Sequence, residues 1–262
     1  MAVLRKRVGG HGDQNGEGRR GRPPAIYLNG HDTTKRYVDF HRSLSGELMK
    51  PRSGEEEAVE CLLAFLGRID VSATSADWGR ASASLDHIGA KLADATLQRG
   101  VNYENMVRRR VADVADRFPE ANTTSGLLRV LKKRGAPAVL QMQAGAKPST
   151  FLALAKVLDE RSVETVADLR SFLSDRWHAN SLRRVKGVGP KTVSFLKLLV
   201  GLDAVAVDMH ILAALQEAGV PPCDPSEAEA LIGLVANRLG KRMTDIDALI
   251  WQYQAGLRRR TT

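Results

Sequence analysis

The sequence predicts an all-α protein, and three observations predict it. From Thr33 onward, apolar residues recur at helical spacing in segment after segment. No run alternates apolar and polar residues with the period of two that a half-buried strand needs. Gly, Pro and Asp-Pro-Ser punctuation follows at short intervals, giving about ten helices joined by short loops, with no internal repeat.

Residues 1–24 are rich in Gly and Arg and nearly free of large apolar side chains. They read as a disordered basic tail, drawn to residue 30, that adds nonspecific polyanion affinity or only solubilises the chain. Residues 36–49 are moderately amphipathic. Residues 54–67, GEEEAVECLLAFLG, place acidic side chains in the first turn, where they suit the helix dipole. Residues 77–97 set Trp78, Leu85, Ile88 and Leu92 near one stripe, and Gly100 interrupts the pattern. A very basic helix over 102–118 carries Arg108, Arg109 and Arg110, and shorter helices follow over 123–134, 148–158 and 163–173, the last capped by Ser162. Beyond residue 211, Pro221 and Pro222 break the chain. Asp224, Pro225 and Ser226 signal entry to a helix that Gly240 ends. The last helix covers 244–253, with Trp251 and Tyr253 read as core or domain-interface residues and Arg258–Arg260 as its basic end.

The chain has 262 residues, 43% of them hydrophobic, enough for one large or two small cores. Its net charge is +9, and the pI is about 9.8, with basic clusters in body and tail alike. That balance argues for a polyanionic partner. Two cysteines, Cys61 and Cys223, cannot make a disulfide scaffold or a four-cysteine metal site. No stretch approaches the ~18 uninterrupted apolar residues of a membrane span, and the N-terminus lacks an apolar signal core. The expectation is a cytoplasmic monomer, nucleoid-associated if the source is bacterial, with no side-chain metal site.

Residues 182–211, LRRVKGVGPKTVSFLKLLVGLDAVAVDMHI, carry the chemistry. They read as helix, Gly-Val-Gly hairpin, helix, apolar link and an aspartate opening another helix. Gly187 and Gly189 allow positive φ or close approach to another molecule. Pro190 suits a first helical position, and the unpaired N–H groups beside it form an anion site. In a chain this basic, the expected anion is a nucleic-acid phosphate, held by the turn at Lys186, Gly187, Val188 and Gly189 and by Thr192. Lys191 lies in the first turn and Asp208 follows 17 residues later. An enzyme acting on a base inside a duplex must flip the nucleotide out. Breaking the N-glycosidic bond then develops positive charge at the sugar C1′, which a carboxylate stabilises and an amine can attack. Each residue has a plainer role as well: Lys191 as a phosphate contact, Asp208 as a helix N-cap. His210 points away from Asp208 and is given no chemistry. Trp177 and His178, just before the hairpin, are compatible with either core or contact.

The stretch VKGVGPKTVSFLKLLVGLDAVAVDMHI resembles the helix-hairpin-helix plus Gly/Pro/Asp signature of the DNA glycosylase superfamily that includes endonuclease III. The matching residues are Gly187, Gly189, Lys191, Val207, Asp208 and His210. The segment DATLQRGVNYENM resembles the one that enters DNA around the flipped base, with Gln98 at the position that plugs the vacated stack and Asn102 and Tyr103 in the same loop. The chain departs from endonuclease III in lacking cysteines for an iron–sulfur cluster and in a Lys–Asp spacing about one residue shorter than in bifunctional members.

The resemblance implies the two-lobed helix-hairpin-helix glycosylase fold. One lobe is a helical barrel over 85–200, ending in the hairpin over 182–200. The other joins 31–84 to 201–262. It implies a base-excision glycosylase on double-stranded DNA, with Asp208 and Lys191 catalytic, a possible associated AP lyase, and a sodium or potassium ion on the hairpin backbone. The alternative is a noncatalytic DNA-binding protein that uses the hairpin to hold phosphate. No paired carboxylates or metal-ligand cluster points to a nuclease.

Overall fold

The structure is a computed structural model that describes residues 53–69, 82–98, 101, 103–221 and 223–260. The predicted tail, the segment over 36–49, Trp78, Gly100, Asn102 and Pro222 lie outside the described residues. Among the described residues there is no strand, and the protein is all-α.

The helices are α1 Ser53–Leu66, α2 Ile88–Leu97, α3 Arg109–Arg117, α4 Thr124–Arg134, α5 Ala136–Val139 and α6 Ala146–Glu160. They continue with α7 Val166–Ser174, α8 Arg176–Ser181, α9 Pro190–Leu199, α10 Met209–Glu217, α11 Pro225–Arg238 and α12 Met243–Arg260. Two sequence expectations need correction. The helix expected from 77 starts at Ile88: the His87 Nδ1 accepts from Ala90 N at 3.0 Å, while its Nε2 meets the Phe118 carbonyl, also at 3.0 Å. With His87 as the N-cap, residues 82–87 are turn and loop rather than helix, and 77–81 lie outside the described residues. Likewise α7 is capped by Thr165, which forms a capping box with Asp168. Ser162 instead has φ 55° and lies in the preceding turn. The basic helix at 103–117 is present, but its first turn, Tyr103–Arg108, is π-wound.

Two apolar cores organise these helices. One gathers buried residues from α2 through α9, among them Leu92, Val111, Leu127, Phe151, Leu169 and Leu196. The other gathers residues from α1 and α10–α12, among them Leu62, Phe65, Leu215, Ile232 and Ile250. The extended link between α9 and α10 serves both by alternation. Ala204 and Ala206 pack in the first core, Val205 and Val207 in the second. A buried extended strand without a sheet partner must find other hydrogen bonds. Here α12 supplies them: Thr244 Oγ1 accepts from Ala204 N at 3.3 Å, and Asp247 Oδ2 accepts from Ala206 N at 3.5 Å. Asp203 in turn accepts from Thr244 N at 2.9 Å and from the Thr244 hydroxyl at 2.9 Å. The link is therefore fixed along its length before it reaches Asp208.

A polar cluster sits under the start of α2. Lys91 is only 1% exposed, and its ammonium donates to the carbonyls of Ser82 and Ala83. Asp94, fully buried, accepts from the Ser82 hydroxyl at 2.8 Å and from the Tyr103 hydroxyl at 3.0 Å. Burial pushes the Lys91 pKa down from 10.5 to about 8. Below pH 8, folded and unfolded chains both carry the charge, and its burial cost is fully present. Between about 8 and 10.5 the folded protein sheds the proton first, so the contribution of Lys91 to stability rises with pH. Denaturant unfolding of the wild type and Lys91→Met at pH 7 and pH 10 is expected to shift the difference between them by about 2–3 kcal/mol in favour of the wild type at the higher pH. A difference that stays flat over that range contradicts the assignment.

Candidate functional site

The hairpin is built on two buried valines. Val185 and Val188 anchor it in the first core, and Val188 N donates to Val185 O at 3.0 Å across the turn. The two glycines do different work. Gly187 has φ 93°, and a Cβ there would collide with Thr150 Oγ1. That hydroxyl lies 2.8 Å from the Lys186 carbonyl, so the turn is seated directly on α6. Gly187 is thus a requirement of the fold. Gly189 has φ −106° and ψ −179°, a conformation open to any residue. A Cβ on it would meet nothing within 4 Å. Neither conformation nor packing calls for glycine at 189. Pro190 stands at the first helical position of α9, where helix geometry leaves N–H groups unpaired.

Lys191 and Asp208 meet beside this turn. The Lys191 Nζ donates to Asp208 Oδ2 at 3.0 Å. The other carboxylate oxygen, Oδ1, accepts from His210 N at 2.8 Å and Ile211 N at 3.3 Å and so caps α10. One oxygen holds the group in place while the second faces the lysine. The side chains are 43% exposed for Lys191 and 18% for Asp208. A pair this exposed adds only about 0–1 kcal/mol to stability, so its contribution to the fold is small.

The remaining predicted contacts separate into two groups. Lys186 is exposed, Val188 buried and Thr192 half-buried around the turn. Gln98 and Tyr103 belong instead to the neighbourhood of Asp94. The Gln98 amide nitrogen is buried and makes no hydrogen bond, the Tyr103 hydroxyl is bound to Asp94, and the Arg108 guanidinium lies 6.0 Å from the Tyr103 ring centre. Asn102 lies outside the described residues.

Among the described residues, no three His, Cys, Asp or Glu side chains cluster to hold a metal ion. A backbone-bound monovalent cation is a different case. The Val185 and Lys186 carbonyls each accept one hydrogen bond, from Val188 N and Thr150 Oγ1. Each keeps a second lone pair, so the donor set of the turn fits such an ion. An open cleft of about 380 Å³, lined by Arg117, Phe118, Arg134 and Ala138, shares no residue with the hairpin.

Sequence reasoning missed several residues that build the site. Thr150 carries the hairpin from 37 positions away, and no local pattern marks it. Asp203, Thr244 and Asp247 hold the link, and only Asp203 lies near the motif. Trp177, left open above, is 84% exposed.

Residues 70–255 match the model of a family described as a domain of unknown function, DUF8548. No curated protein matches the chain. Among solved structures it is similar to the crystal structure of Methanocaldococcus jannaschii 8-oxoguanine DNA glycosylase, with 14% identity and a TM-score of 0.41, over 86% of this chain and 96% of that one.

The unequal glycines give a direct test. Gly187→Ala forces a Cβ into Thr150 at positive φ and is expected to cost about 1–3 kcal/mol in denaturant unfolding. Gly189→Ala is expected to stay within about 0.5 kcal/mol of the wild type. Equal losses at the two positions would show that Gly189 also serves packing.

Proposed function

The chain belongs to the DUF8548 family, a domain of unknown function, and for it we propose the activity of a DNA glycosylase that removes a damaged or mismatched base. The observation that carries this reading is the 3.0 Å contact between Lys191 Nζ and Asp208 Oδ2 beside a glycine turn left open at Gly189. Helix capping accounts for Asp208 Oδ1 but not for a lysine set against Oδ2, and cleavage of an N-glycosidic bond uses both groups.

In this reading the backbone N–H groups of Gly187 and Gly189 and those at the start of α9 grip a phosphate of double-stranded DNA, with Lys186 and Thr192 beside it. A monovalent cation on the hairpin carbonyls would add positive charge at that phosphate. With the nucleotide turned out of the stack, Asp208 Oδ2 faces the sugar and stabilises the positive charge that grows at C1′ as the bond to the base lengthens. The cap bonds to Oδ1 hold the carboxylate rigid, so it needs no reorganisation. As that charge develops, the Lys191 ammonium gives a proton to Asp208 Oδ2 and its amine bonds C1′, so the carboxylate stays charged until the attack. The base leaves with the bonding pair and takes up the proton that Asp208 received, which returns Asp208 to its carboxylate. The sugar ring then opens to a Schiff base, from which β-elimination cuts the strand. If water attacks C1′ in place of Lys191, Asp208 takes the proton of the water, and the enzyme releases the base without cutting the strand.

The exposure of Lys191 favours a second reading, in which it only contacts phosphate and the hairpin is a noncatalytic DNA-binding module. The two readings separate in one experiment. Duplexes carrying oxidised, alkylated, deaminated or mismatched bases are scored separately for base loss and strand scission, with borohydride added to trap a Schiff base. The glycosylase reading expects base loss from at least one duplex. Asp208→Asn keeps the helix cap but is expected to lose about 10²–10³-fold in rate. A borohydride adduct that disappears in Lys191→Ala identifies the amine as nucleophile. Base release without an adduct assigns the attack to water. Undiminished base release by Asp208→Asn overturns the mechanism. Salt-sensitive DNA binding with no base loss from any duplex leaves the noncatalytic module.

A further inference from the structure

The segment that leads into the hairpin presents a face the fold does not use. Asp175 caps α8, and a 3-10 turn, Leu182–Arg184, continues it. Ala179 and Leu182 are buried, and the His178 ring stacks on Phe172 with centroids 5.1 Å apart. These contacts anchor the segment from one side. Trp177, Asn180 and Arg184 fall at i, i+3 and i+7, and all three are exposed, as is Arg183 on the flank. Burial raises the Glu229 carboxyl of α11, and the charges of Lys197 and then Arg176 oppose that rise.

Trp177 is the feature that packing does not explain. A tryptophan side chain normally buries a large apolar surface, yet this one is 84% exposed. Exposed Arg183, Arg184 and Lys186 follow it in the chain, and the open turn at Gly189 comes after them. An indole among arginines is the combination that binds unpaired nucleic acid. The cations follow the phosphates, and the ring offers a stacking surface to a base. A fully paired duplex has no free base face along its length, so the aromatic group gains little from it. An unpaired nucleotide beside the gripped phosphate supplies that face.

We propose that Trp177 is a stacking platform for an unpaired nucleotide next to the phosphates held by the hairpin. The preferred substrate is accordingly DNA that joins a duplex to a short single-stranded region, such as an overhang, a gap or a bubble. This inference rests on the hairpin gripping DNA, and it specifies the form of that DNA.

Fluorescence anisotropy with the full chain tests it, using one labelled duplex and the same duplex extended by a single-stranded tail. The wild type is expected to bind the tailed form about tenfold more tightly. Trp177→Ala is expected to lose that preference while binding the plain duplex as the wild type does. Trp177→Phe, which keeps a ring, retains most of it. Thermal melting of the variants checks that the exposed position leaves the fold intact. Equal wild-type affinity for the two probes overturns the proposal, as does a preference that survives in Trp177→Ala. A loss of duplex binding in Trp177→Ala equal to its loss of tailed binding also overturns it, because Trp177 then serves DNA of either form. Wild-type binding to neither probe overturns the hairpin reading together with it.

Discussion

The rest of the structure depends on one extended link, residues 203–208, between α9 and α10. Its side chains alternate between two cores, Ala204 and Ala206 in one, Val205 and Val207 in the other. Neither core can shift along the link without breaking the register of the other, because a slip of one residue exchanges every side chain between faces. The backbone of the link cannot bond to itself, and α12 satisfies it through Thr244 and Asp247. The consequence appears at the end of the link. Asp208 emerges at a fixed place, caps α10 with one oxygen and meets Lys191 with the other. A weak surface ion pair thereby gains a geometry that its own energy could not impose.

Around that pair, the hairpin divides rigidity from access. Gly187 is locked onto Thr150, while Gly189 is open. Valines below the turn prevent it from moving, and arginines and lysines beside it supply charge. In the proposed function this is the order of events that the chemistry needs: a fixed grip on phosphate first, then a carboxylate already oriented when charge develops at the sugar. The polar cluster of Lys91, Asp94 and Tyr103 ties the π-wound turn at Tyr103–Arg108 back to α2.

What could be read from the sequence follows the range of the interactions. Helical periodicity is local, and it gave the all-α class. Caps within a few residues were legible where the residue type is common, as at Asp208 and Asp224. They were misread where another side chain took the part, as with His87 before α2 and Thr165 in place of Ser162 before α7. The glycine turn, Pro190, Lys191 and Asp208 stood out because their spacing is short. Thr150 under Gly187 and Thr244 against Ala204 are contacts across 37 and 40 residues, and a threonine in a helix carries no mark of such a partner. The AVAV link displayed its alternation in the sequence, but the surface each face would meet is a property of the assembled helices. The exposure of Trp177 was equally out of reach, since burial depends on what packs above it.

The central claim is that Asp208 stabilises a cationic sugar in DNA held by the hairpin, and a cation placed at that sugar tests it most directly. Two duplexes are compared that differ at one abasic position: one carries a neutral tetrahydrofuran ring, the other a pyrrolidine whose protonated nitrogen replaces C1′ and stands in for the positive charge. The account predicts that the wild type binds the cationic analogue about 10²-fold or more tightly than the neutral one, and that Asp208→Asn reduces the two affinities to near equality. Equal binding of both duplexes by the wild type, or a preference for the cation that persists in Asp208→Asn, would contradict it.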